Sequence, residues 1–242
     1  MKKSLLLLCL IAGFSSAASA ASITGLDQLS VAEFKLLSED FGAALSDKPL
    51  APAEPLNLFG FDISAMASST DISKSSAALN KASFGSIQTS TIIVPKLYAA
   101  IGLPFGIDVA AFVSSVPSSN ITLTGAELKV ALLKGGTVSP SIAIRGAMTR
   151  MSGVEQLDFN TKSLDISISK GILMFTPYAG VGQVWVSSKA NVAGTDGALD
   201  ESFTQSKVFV GANMNILLLN FALEADKTGG ISTYSLKGGF RF

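Results

Sequence analysis

The stretch STYSLKGGFRF, residues 232–242, decides how the rest of the chain is read. Side chains in a β-strand alternate between its two faces with a period of two. On that period Tyr234, Leu236, Gly238, Phe240 and Phe242 share one face, while Thr233, Ser235, Lys237, Gly239 and Arg241 share the other. One face is apolar and the other polar. Such a strand belongs at a boundary between an apolar and a polar phase.

Working back from it, the same alternation recurs. Phe59, Phe61, Ile63, Ala65 and Ala67 oppose Gly60, Asp62, Ser64, Met66 and Ser68. Similar segments fall near 92–101, 105–113, 126–132, 142–149, 164–169, 175–188, 207–216 and 219–226. In the glycine-rich segment 175–188 the facing stays open, because Trp185 and Val186 fit either side. Ten strands between residues 56 and 242 allow about 18 residues for each strand and its turn, in keeping with membrane-crossing strands of roughly 9–11 residues. The longer connections, 69–90, 116–120, 152–157, 188–201 and 227–231, fall at one end. The short ones, 102–105, 133–138, 171–175 and 216–219, fall at the other. The Ser-, Ala- and Lys-rich stretch 71–90 reads as a loop, as does 191–201.

At Tyr234, Leu236, Gly238, Phe240 and Phe242 the chain resembles the closing strand of Gram-negative outer-membrane β-barrel proteins. In that family a C-terminal aromatic, with apolar residues at every second place before it, is the signal read by the barrel-assembly machinery. Glycine at 238 is the weak member of the set. The resemblance implies an all-β fold, an antiparallel up-and-down transmembrane β-barrel of about ten strands, with outer-membrane lipid and the assembly machinery as partners. It also implies long loops outside and both chain ends on the periplasmic side. The competing reading is a secreted sandwich or lipocalin-like barrel. Such a protein should carry its charges on the outward face, whereas here one face of nearly every strand is free of charge.

The first part of the chain differs in kind. Residues 1–20 combine Lys2 and Lys3, an apolar core from Leu5 to Phe14, and Ala18-Ser19-Ala20, which is the pattern of a cleaved signal peptide. Its removal would take the only cysteine, Cys9, and leave 16 basic against 18 acidic residues. No basic excess points to nucleic acid. Residues 21–55 form a separate segment ahead of the barrel at 56–242. Ser30 and Glu33 have capping-box spacing, Leu29 and Phe34 stand as a hydrophobic staple, and Phe34, Leu37, Phe41 and Leu45 recur at helical intervals. Pro49, Pro52 and Pro55 then keep the chain extended. A short N-terminal helix is expected, either in the periplasm or tucked into the barrel mouth as a plug. The alternative makes Asp40 to Pro49 an extra strand.

The absence of histidine from all 242 residues removes the Ser-His-acid constellation, histidine acid–base work and almost every zinc site. The family's enzymes depend on histidine, so no catalytic residue, metal or cofactor is expected. The acids Asp196, Asp200 and Glu201 lack calcium-loop spacing and read as solvated charge. The polar faces place twelve charges toward a lumen: Asp62, Lys96, Asp108, Glu127, Lys129, Arg145, Asp165, Lys207, Glu224, Asp226, Lys237 and Arg241. A ten-stranded barrel has room for side chains and little water. These charges therefore either pair into a structural filling or line a narrow pore for small solutes. Tyr178, Tyr234, Phe240 and Phe242 are candidates for the aromatic girdles. The functional expectation is a non-enzymatic envelope component or narrow channel. The alternative is a surface-recognition protein acting through loops 69–90 and 188–201.

Overall fold

A computed structural model describes residues 23–136, 138–192 and 199–242. The signal segment, Cys9 and Asp196 lie outside the described residues. The fold is a closed antiparallel barrel of ten strands in which each strand pairs with its neighbours in sequence. The strands are β1 (Phe61–Asp71), β2 (Thr91–Leu103), β3 (Ile107–Ser115), β4 (Thr122–Lys134), β5 (Ser141–Ser152), β6 (Leu157–Ser169), β7 (Phe175–Ala190), β8 (Asp200–Ile216), β9 (Leu219–Thr228) and β10 (Ile231–Arg241). Closure is made by β10 against β1, with Phe240 opposite Ile63 and Tyr234 opposite Ser69. A closed barrel leaves no strand edge unpaired.

Alternation sorts the residues by face. Leu97, Val210, Leu223, Tyr234 and Leu236 point outward and are exposed, whereas charges such as Asp62, Lys129, Arg145 and Lys207 point inward and are buried. Arg145 is the largest fully buried side chain among the described residues. In a water-soluble fold apolar residues occupy such positions and arginine almost never does. The barrel is inside-out with respect to water. The weak member of the closing strand, Gly238, has an explanation in its neighbour: it pairs with Phe221 on β9, whose ring would lie 3.7 Å from a Cβ at Gly238. The aromatic ring covers the gap that the glycine leaves in the apolar face.

Two expectations change. The stretch 71–90 is not all loop: Ser76–Ala82 form a short helix, α2, inside it. Its Ala78, Leu79 and Ala82 are buried in an apolar cluster with the N-terminal helix, so tertiary packing overrides the loop-like composition. Tyr178 is not a girdle residue. It lies on the inward face of β7 and is 3% exposed, with Trp185 on the outward face. This fixes the strand orientation that alternation by itself left open.

Candidate functional site

The candidate site is the lumen, and a segment of the same chain occupies it. The N-terminal helix α1 (Val31–Leu45) starts with the expected capping box: Ser30 Oγ accepts from the Glu33 N–H at 3.3 Å, and Glu33 Oε2 accepts from the Ser30 N–H at 2.7 Å. Its stripe of Phe34, Leu37, Phe41 and Leu45 is buried with Val184, Val186 and Phe159 of the barrel wall. The helix lies among the strands rather than beyond the rim. Ser38 Oγ is 2.8 Å from Ser188 Oγ on β7, and the Gln205 side chain on β8 donates to the Glu39 carbonyl at 3.0 Å. Gly42 sits at the closest approach, where a Cβ would come within 2.6 Å of Gln205 Oε1 and 2.7 Å of Val186.

The helix stops at Ser46, whose backbone is extended, three residues before Pro49. Lys48 folds back so that its ammonium donates to the Ala43 carbonyl at 2.7 Å. A cation at this place satisfies an orphan carbonyl and complements the negative end of the helix dipole.

From there the chain descends the lumen without a sheet partner, and wall side chains satisfy its backbone. Lys207 donates to the Asp47 carbonyl at 3.0 Å and Lys96 to the Lys48 carbonyl at 3.1 Å. Arg145 donates to the Ala51 carbonyl at 3.3 Å, and Lys129 to the Glu54 carbonyl at 3.0 Å. Acidic groups take the amides: Leu50 N–H donates to Glu224 Oε2 at 3.0 Å, and Leu56 N–H to Asp108 at 3.1 Å. Buried backbone groups must be paired, and the prolines reduce the number of amides that need an acceptor. The inward charges serve as a cradle for an extended polypeptide.

The charges also pair with each other. Four pairs join wall to wall: Lys129–Asp108 at 2.9 Å, Arg145–Glu127 at 3.1 Å, Lys207–Asp165 at 3.0 Å and Lys237–Asp62 at 2.6 Å. Two more join wall to segment, Lys96–Asp47 at 2.9 Å and Asp226–Lys48 at 3.1 Å. Glu224 accepts from the Tyr178 hydroxyl at 2.9 Å as well as from Leu50. Arg241, half-buried near the rim, donates to the Glu54 carbonyl at 3.3 Å. All twelve positions assigned to the lumen from alternation point inward, eleven of them buried. Reading strands alone missed Asp47 and Lys48. Their signal was two opposite charges directly after an apolar helical stripe and directly before a proline.

Aromatic rings make room for the segment. Phe112 lies over Gly125, Phe209 over Gly180, and Tyr178 over Gly211, each across a strand pair, and a Cβ on any of these glycines would collide with the ring. Rings held flat against the wall leave the lumen axis to the backbone of residues 46–57. Every residue from 40 to 53 is buried, as are the wall charges facing it. Among the described residues, both surfaces are closed to water at this level of the barrel.

The girdle candidates Tyr234, Phe240 and Phe242 lie exposed on the outer face or at the rim. Asp200 and Glu201 open β8, on the wall rather than in a loop.

No family model and no curated protein matches the chain. Among solved structures, the KdgM porin is 11% identical with a TM-score of 0.39, the alignment covering 75% of this chain and 99% of that one. Neisserial surface protein A is 12% identical with a TM-score of 0.32, covering 75% and 95%. The attachment invasion locus protein Ail of Yersinia pestis is 11% identical with a TM-score of 0.31, covering 76% and 100%. Similarity of this degree carries no functional argument. Function has to be sought in the lumen and on the outer face of the barrel.

Proposed function

We propose that this chain is a non-enzymatic outer-membrane barrel that its own N-terminal segment holds shut. The apolar outward face supports the membrane reading, because only a closed barrel or a helix satisfies every backbone group in lipid. The burial of residues 40–53 against paired wall charges carries the sealed state. A chain without histidine supports the non-enzymatic reading. The polar character of the contact matters for gating. Withdrawing the extended run after α1 would expose the wall charges that hold it, which water can solvate, so a narrow solute pathway is available to this barrel only when the segment moves. The loop-recognition alternative draws less support, since α2 is committed to packing on α1.

The test is single-channel conductance of the refolded full-length protein in a planar bilayer. The native chain should be silent, and Asp47→Lys, which puts a cation against Lys96 and Lys207, should conduct. Steady conductance from the native chain would overturn the sealed reading. Failure of the folded barrel to enter lipid would overturn the membrane reading.

A further inference from the structure

The two ends of the lumen segment lie at opposite rims. At residues 57–61 the chain is bound to the rim of short turns. Phe59 N–H donates to the Gly102 carbonyl at 3.0 Å, and Phe61 N–H to the Phe242 carbonyl at 3.0 Å. At residues 23–29 it is bound to the rim of longer connections. Gly25 N–H donates to the Ala82 carbonyl at 2.8 Å, in the β1–β2 connection, and Leu26 N–H to Gln156 Oε1 at 3.5 Å, in the β5–β6 connection. Ile23 and Leu26 are buried there with Leu79, Ile121 and Val154. The order of contacts between them is monotonic. Ser38 meets Ser188 near the long-loop end of β7, Asp47 meets Lys96 and Lys207 midway along β2 and β8, and Leu56 meets Asp108 one residue above the start of β3. The chain passes through the barrel once and in one direction.

We propose that the barrel displays its own amino-terminal end on the cell surface. The polypeptide enters the lumen from the periplasmic rim at residue 57 and leaves at the outer mouth at residue 23, so the mature amino terminus starts outside the cell. This departs from the arrangement in which both ends of a barrel face the periplasm. The lumen suits the passage: along residues 46–57 it offers charged donors to carbonyls and carboxylates to amides, and toward the outer mouth an apolar wall that takes the stripe of α1. The surface display rests on the proposed membrane barrel, with long loops outward, and adds to it the side on which the N-terminus lies.

The experiment uses the full chain in cells with three single-epitope insertions: between Ser22 and Ile23, within 193–198, and at Gly136 in the β4–β5 turn. Antibody labelling of intact cells should reach the first two epitopes and miss the third until the cells are permeabilised. Labelling of the 193–198 epitope without the one before Ile23 would overturn the inference and leave the membrane barrel standing. Recovery of the protein outside the membrane fraction would overturn both. A second readout needs no insertion. Ser38→Cys with Ser188→Cys should form a disulfide that shifts gel migration in nearly all of the assembled protein, and absence of that shift in folded barrel would place the helix elsewhere and overturn the inference.

Discussion

Lys48 Nζ lies 3.1 Å from Asp226 Oδ1, and both side chains are buried. The two residues are 178 positions apart in the chain. The pair ties the lumen segment to β9, and the same ammonium also holds the Ala43 carbonyl at the end of α1. One side chain thus secures both the helix and the extended run that follows it.

Removing one partner of a buried ion pair strands the other, at a cost of about 3–5 kcal/mol. Lys48→Met should accordingly loosen residues 46–53 from the wall while leaving the barrel closed. Hydrogen exchange of those amides should quicken by two orders of magnitude or more, with strand amides unchanged. Asp226→Lys combined with Lys48→Asp should recover part of the protection.

Gly180 has no room for a Cβ beneath the Phe209 ring. Gly180→Ala should push that ring into the lumen and destabilise the barrel by about 1–3 kcal/mol, the usual cost of overpacking. Phe209→Leu in the same chain should restore much of the loss. Urea midpoints of the three proteins measure it, and an unperturbed single variant would refute so close a fit of ring to glycine.

Glu33 titrates at the mouth. The Ser30 amide and hydroxyl, together with Lys81, whose Nζ is 3.0 Å away, lower its pKa from the ordinary 4.5 to about 2. A carboxylate lowered on folding contributes stability that is present above its unfolded value and is lost as pH falls toward its folded value. Glu33→Gln should therefore fray the start of α1 at neutral pH, and the difference from the native chain should shrink between pH 4.5 and about 2. Exchange of the first-turn amides across that range is the measurement.

Phe242 ends the closing strand. Its N–H donates to the Phe61 carbonyl at 2.9 Å, and its ring lies 6.1 Å from that of Phe61. Phe242→Ser should reduce the membrane-assembled fraction several-fold while the purified variant still refolds in detergent. Normal assembly in cells would count against an assembly signal in this strand.

Gly238 and Tyr178 mark how far local pattern reaches. Period-two alternation places a residue on a face, which is why the inward charges from Asp62 to Arg241 were legible one strand at a time. It failed in β7, where glycines and two adjacent bulky residues, Trp185 and Val186, erase the contrast between faces. Only the pairing of Tyr178 with Gly211, and of Gly180 with Phe209, reveals which side carries the rings.

The sequence by itself determined the strands, their order, the charges on their inner face and the capped helix that precedes them, because each of these is written in local alternation, turns and capping residues. Tertiary structure alone decided that the helix and the proline run fill the lumen, that Asp47 and Lys48 complete its charge pairs, and that residue 23 faces the long loops. The two ion pairs that anchor the segment join residues 49 and 178 positions apart. They depend on the strand register and on which backbone groups of an unpaired segment come within reach of a wall cation. No local periodicity encodes that geometry.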